Sequence, residues 1–204
     1  VTPPNPERPA PNGTSRERER ELIERARRGD EDAFERIVGL HAERVYGALR
    51  RFGLGSGDAE EVAQEVFLRA WRGLDRFQER AQLSTWLYRI AFNEAQRRLG
   101  RREPATVVSG PDGQDPIAQL TDAPARGPAA RALEHEFEAT LDEALQRLPL
   151  DWRAAVVLRD LEGLSTREAA IALGVPEAAF KSRLHRGRMQ LRGLLEPYLG
   201  LEEG

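Results

Sequence analysis

Among 204 residues the chain has no cysteine, one methionine, three histidines and a single lysine, Lys181. The missing thiols exclude disulfide scaffolds, thiolate zinc sites and cysteine nucleophiles together. His41, His135 and His185 stand far apart in sequence and form no ligand spacing, so neither a metal nor another cofactor is expected. No apolar run approaches the roughly 18 residues that a membrane-spanning helix needs. Val1-Thr2-Pro3-Pro4 does not begin a signal peptide. These absences point to a cytoplasmic chain with no membrane insertion. Aromatics are only 6% of residues, yet the hydrophobic fraction of 40% suffices for a core. The net charge of −3 arises from 31 basic and 34 acidic residues, so a local basic patch can sit within an acidic whole.

Proline divides the chain. Five of its 13 prolines lie in residues 1–15 and five more in 103–130. Residues 1–15 read as a disordered tail. Residues 103–130 carry Glu103, Asp112, Asp115 and Asp122 against Arg126 alone and read as a flexible acidic linker. Elsewhere apolar residues recur at three and four and no alternating strand pattern appears, which gives an all-α fold of two small helical domains, 16–102 and 131–199. In the first, Glu21/Arg25 and Glu24/Arg28 mark a solvated helix with Leu22, Ile23 and Ala26 to bury. Asp32 with Glu35 predicts a capping box ahead of Phe34, Ile37, Val38, His41, Val45, Leu49 and Phe52. Asp58 with Glu61 opens a further helix, and Ser84-Thr85 another that stops at Gly100. In the second, a leucine stripe closes at Pro149, a helix runs from Asp151 to Gly163, and Ser165/Glu168 caps a short helix broken by Gly174. Pro176 is expected at the first position of the last helix. That pair of short elements is a helix-turn-helix signature.

Three stretches carry the chemistry. From Ala178 to Arg192 there are five cations and no acid. With Phe180, Leu184, Gly187 and Leu191 on one face, Lys181, Ser182, His185 and Arg186 turn outward to base edges. Arg183 and Arg188 flank them towards phosphate. Gly187, on the inward face, predicts close helix packing. The second stretch, Ser84 to Asn93 followed by Arg97, Arg98, Arg101 and Arg102, interleaves rings with guanidinium groups, as unpaired bases require. A core role for Trp86 competes with that reading. The third, Asp58 to Trp71, sets acids and an amide against bulky apolar residues, a face that fits either a docking helix or an ordinary core helix. Gly53-Leu54-Gly55-Ser56-Gly57 follows a helix and lacks the Gly-Lys-Ser/Thr ending of a phosphate loop. Glu60, Glu61 and Glu65 have no evident cleft, so the chain is not expected to be an enzyme and no small-molecule substrate is implied.

At these residues the sequence resembles the extracytoplasmic-function (ECF) group of the sigma-70 family, the members with only region 2 and region 4. Asp58 to Trp71 resembles region 2.2, Ser84 to Arg102 regions 2.3 and 2.4, and Leu164 to Arg192 region 4.2. The resemblance implies an RNA polymerase sigma factor that directs core RNA polymerase to promoters. Glu61, Gln64 and Glu65 would meet the polymerase clamp helices, and region 4 would dock on the flap. Phe77, Trp86, Asn93, Arg97 and Arg98 would capture the melted minus-ten strand, with the loop from Phe77 to Leu83 and Asn93 forming a pocket for a flipped base. Lys181, Ser182, Arg183, His185, Arg186 and Arg188 would read the minus-thirty-five element. An anti-sigma protein is the further partner implied, and it could retain the chain at the membrane. The loop after Phe77 departs from the Arg-Gly-acidic pattern common in the family, and Ala178-Ala179-Phe180 replaces its Gly-Thr-Val. The competing reading is a stand-alone helix-turn-helix transcriptional regulator, whose first domain senses a ligand or dimerises.

Overall fold

Asp30 starts the first long helix. Its carboxylate accepts a hydrogen bond from the Ala33 amide at 3.0 Å and another from Arg25 Nε at 2.8 Å. The cap therefore lies two residues ahead of the expected Asp32, because Asp30 is the residue with extended backbone angles, φ −76° and ψ 100°. Both partners hold the Asp30 carboxyl below the usual carboxylate range, the Ala33 amide first and Arg25 second.

The computed structural model describes residues 15–78, 81–100 and 128–199. The expected tail and most of the expected linker lie outside these residues. Helix α1 (Ser15–Arg27) buries Ile23 and Ala26 against α2 (Glu31–Arg51). Its pairing differs from the expected i,i+4 ladder: Arg25 turns to Asp30 and Arg27 to Glu24. Helix α3 (Ser56–Gly73) begins two residues before Asp58, with Gly55 as its cap. A 3-10 turn over Leu74–Arg76 leads to Phe77. Arg27 donates to the carbonyls of Leu74 and Phe77, which ties α1 to this turn. Helix α4 (Leu83–Leu99) completes the first domain, with Leu83, Leu87, Tyr88, Ala91, Phe92 and Ala95 buried. Phe52 and Phe92 meet edge to face at 5.9 Å. Each such ring or leucine, fully removed from water, contributes roughly 1.5–3 kcal/mol.

The second domain is α5 (Pro128–Gln146), α6 (Leu150–Val156), α7 (Thr166–Leu173) and α8 (Glu177–Leu199). Helix α5 starts inside the stretch read as linker. Helix α6 passes directly into a π turn over Val157–Leu161, so the expected helix from Asp151 to Gly163 is two geometries in series. The Ser165/Glu168 capping box is present in both directions, and Gly174 at φ +67° ends α7 in the left-handed region that only glycine adopts without strain. Pro176 lies one position earlier than expected, its carbonyl accepting from the Phe180 amide at 3.0 Å. All elements among the described residues are helical.

The two domains touch along α4 and α7, with α2 against α5 and against the π turn. Arg153 of α6 is 9% exposed and donates to four carbonyl oxygens: Phe52 in the first domain at 2.8 Å, the Gln146 side chain and backbone at 2.9 Å each, and Leu148 at 2.8 Å. Gly53 makes room for it. At φ +106° it turns the chain past the end of α2, and a Cβ there would collide with the Arg153 guanidinium.

Candidate nucleic-acid interface

The helix-turn-helix places α8 by packing its inner face. Phe180 is fully buried, Leu184 and Leu191 nearly so. At Gly187 an added Cβ would stand 2.8 Å from Val156 Cγ2 and 2.9 Å from the Trp152 carbonyl, so α6 and α8 approach as closely as their backbones allow. The outer face then presents Lys181, which is exposed, and Ser182, Arg183, His185 and Arg186, which are half-exposed. Arg183 pairs with Asp151 at 3.0 Å. The Arg186 guanidinium lies over the Trp152 ring at 5.9 Å, a cation–π contact that fixes its stem while the side chain remains partly open to solvent.

Arg188 departs from its expected phosphate-facing role. It is 6% exposed and clasps Asp160 of the π turn through Nε at 3.0 Å and Nη2 at 2.6 Å. The physical reason is the turn itself: five residues in π geometry carry Asp160 towards α8.

On α4, Asn93 and Arg97 are exposed on the side away from the core. Arg97 leans on Glu94. Phe77 and Trp86 are not open platforms. They stack on each other at 5.1 Å with 27° between planes, Phe77 is 7% exposed, and the Trp86 indole also covers Gly73. Arg98 turns back to α3, meeting Asp58 at 2.6 Å and Glu61 at 2.7 Å. Both carboxylates, Asp58 first, hold the guanidinium above its ordinary pKa. Two residues expected at separate sites, Arg98 for DNA and Glu61 for polymerase, are thus partners.

Helix α3 faces solvent through Glu61, Gln64, Glu65 and Leu68. Glu65 pairs with Arg69 at 2.6 Å. Beside this row runs an open groove of about 690 Å³ between α2 and α3, floored by Phe34, Val38, Tyr46, Phe67 and Trp71 and edged by Glu31, Glu60 and Gln64. Of the docking residues expected from the sequence, only Gln64 lines this groove; Glu61 and Glu65 lie outside it. Leu68, 49% exposed, falls off the Val62, Val66, Ala70 stripe and is the one sequence signal for an apolar surface there. Among the described residues no group of His, Asp and Glu is arranged to hold a metal ion, and no helix is long and apolar enough to cross a membrane.

Comparison with known proteins agrees with this division. The family Sigma-70 region 2 matches residues 37–104, and Sigma-70, region 4 matches residues 138–191. The RNA polymerase sigma-H factor of Pseudomonas aeruginosa is 35% identical over 188 residues, 91% of this chain and 97% of that protein. The ECF RNA polymerase sigma-E factor of Escherichia coli K12 is 33% identical over 181 residues, 87% of this chain and 94% of that one. Among solved structures, a chain of the structure of CnrH in complex with the cytosolic domain of CnrY superposes with a TM-score of 0.63 at 29% identity, covering 88% of this chain and 98% of that chain. With both regions matched in order and relatives aligned along nearly its whole length, the chain belongs to the ECF group of the sigma-70 family.

Proposed function

We propose that this protein is the promoter-specificity subunit of an RNA polymerase: it binds core enzyme, reads a minus-thirty-five element through α8 and captures the melted minus-ten strand on α4. The observation that carries this is the 35% identity to a polymerase sigma factor across 91% of the chain. Such a subunit regulates initiation and performs no chemistry of its own.

The geometry refines the residue roles. Lys181, Ser182, Arg183, His185 and Arg186 form the duplex-reading face, cations towards phosphate and Arg186 towards base edges. Arg188 supports that face through Asp160. Asn93 and Arg97 meet the single strand, Asn93 through its amide and Arg97 through the backbone. The Phe77–Trp86 stack holds the entry to α4, so a captured base would lie against the outer edge of Trp86. Glu61, Gln64, Glu65 and Leu68, with the α2–α3 groove, form the polymerase-docking face. Arg98 orients Glu61 within it. The flap would take the second domain. An anti-sigma protein is a further partner, supported by the structural relative CnrH, which was solved bound to another protein's cytosolic domain. The place of action is the cytoplasm, with retention at the membrane through such a partner.

The test is transcription in vitro from genomic fragments with core polymerase, with and without this protein. Discrete transcripts that need both components are the expected result. Specific retardation of duplex DNA by the protein alone, without polymerase-dependent transcripts, would instead establish a stand-alone regulator.

A further inference from the structure

Glu94 of α4 is only 6% exposed, although acidic side chains are seldom buried unless they are paired. Its carboxylate has two partners. Arg69 of α3 approaches one oxygen at 3.1 Å, and Arg97, one turn further along α4, donates to the other. Arg69 is itself held by Glu65 at 2.6 Å, so the carboxylate is anchored from α3. Packing alone does not account for an acid here. An apolar side chain of similar size would fill the space without the cost of drying a charge.

Asn93 and Arg97 stand at i and i+4 of the helix, so their side chains leave α4 on the same exposed face. Glu94 holds Arg97 from the inward side of that face. The guanidinium has five N–H donors in a planar fork and spends Nη2 on Glu94. Among the described residues no other group takes the remaining donors. The same guanidinium borders a polar cleft of about 410 Å³, lined on α3 by Glu61, Gln64 and Glu65 and on α4 by Glu94, Arg97 and Arg98. An untethered arginine has many rotamers and would swing through this cleft to follow the phosphate of any strand. Tethered, it is presented at one place beside Asn93.

We propose that Glu94 is a positioning residue that makes capture of the melted strand selective: clamped by Arg69, it fixes the Arg97 guanidinium in register with Asn93. This rests on the sigma-factor reading. The carboxylate acts in a second way too. Lying directly behind Arg97, it offsets the attraction of that cation for a passing phosphate, an effect that reaches over a Debye length of roughly 8 Å. Affinity for an arbitrary strand is therefore held down. A strand gains fully from Arg97 only when its base is also seated at Asn93, which couples the backbone contact to the base contact.

The experiment measures binding of holoenzyme to two fluorescent single strands of equal length and composition. One carries the non-template minus-ten strand of a promoter mapped in the transcription test, and the other is its scrambled counterpart. Glu94→Gln should raise affinity for the scrambled strand about threefold, because a repelling charge is gone. Preference for the promoter strand should fall at least about fivefold, the worth of one well-placed ion pair. A purely structural role would weaken both strands alike. In an Arg97→Gln background, adding Glu94→Gln should change the preference by less than about twofold, since Glu94 acts through Arg97. Should Glu94→Gln fail to fold, Arg69→Gln removes the clamp from the exposed side, and the same fall in preference is expected. An unchanged preference in the folded variant, or the same fall without Arg97, overturns the assignment of Glu94 while the parent still prefers the promoter strand. A parent holoenzyme without that preference overturns the sigma reading itself, and this assignment with it.

Discussion

Arg188 of the last helix and Asp160 of the π turn meet through two hydrogen bonds, 3.0 and 2.6 Å, across 28 residues of sequence. Their side chains are 8% and 18% exposed. Removing one partner strands a charge away from water, so Arg188→Ala should cost about 3 kcal/mol of stability. Urea unfolding measures that loss. The loss of transcription should be larger on promoters that carry a minus-thirty-five element, because the residue holds in place the helix that reads it.

Two glycines of the same helix should respond in opposite directions. Gly187→Ala drives a methyl group into Val156 and the Trp152 carbonyl, forcing α6 and α8 apart at a cost of about 1–3 kcal/mol. Gly193 has nothing within 4 Å of an added Cβ, so Gly193→Ala should gain up to about 1 kcal/mol from helix propensity. Thermal unfolding of the two variants checks the signs. Destabilisation of both would mean that α8 does not run as a regular helix through Gly193.

Local signals were legible in the sequence wherever one residue type had one task. Ser165 with Glu168 encoded a capping box, Gly174 a helix stop, and Gly187 a close approach, and all three stand as read. Tertiary pairings were not legible. Asp58 looked like a cap and became a partner of Arg98, 40 residues away. Arg188 lay within a run of cations and was withdrawn by an aspartate brought round by π geometry that no periodicity announces. The contact between the domains was equally silent: the Tyr88 hydroxyl donates to the Glu162 carboxylate across 74 residues of sequence, and nothing in either local pattern marks it.

On the outer face of α8 the charges should separate by role. Lys181→Ala should weaken promoter binding about equally on all sequences and lower the salt dependence by about one counterion, the behaviour of a phosphate contact. Arg186→Ala should cost about 1–3 kcal/mol, and only on promoters carrying the minus-thirty-five element. Salt titrations of holoenzyme binding on matched promoters distinguish them. Asn93→Ala should leave both polymerase and duplex binding intact while reducing open-complex formation, which permanganate reactivity of unpaired thymines would record.

Acid should loosen the fold through its caps. The Ser165 hydroxyl holds the Glu168 carboxyl below its ordinary value, and the Ala33 amide and Arg25 do the same for Asp30. A carboxylate depressed on folding contributes stability that is fully present above its unfolded pKa, near 4, and is lost as pH falls through the folded value. Stability should therefore be insensitive to these groups from pH 7 to about 5 and decline below about 4. Asp30→Asn keeps the cap acceptor and loses the Arg25 pair. It should lower stability at pH 7 and flatten the decline, as followed by urea midpoints from pH 7 to 2. An unaltered acid profile would show that Asp30 does not take part.

The α2–α3 groove makes the clearest separation between folding and partnership. Leu68 is 49% exposed and stands at the lip of an apolar floor edged by Glu31, Glu60 and Gln64. A partner helix would seat an apolar side chain on Phe34, Tyr46 and Trp71 and set basic residues against that acidic edge. Leu68→Arg places a cation where the partner's own cations would approach. Because the residue packs little in the free protein, the free energy of unfolding should change by no more than about 0.5 kcal/mol. Core polymerase affinity should fall at least tenfold, about 1.4 kcal/mol, while duplex contacts by α8 remain unchanged. If polymerase bound the variant as tightly as the parent, docking would have to rest on the charged row of α3 alone, with Glu61 and Glu65 carrying it and the groove left to another partner.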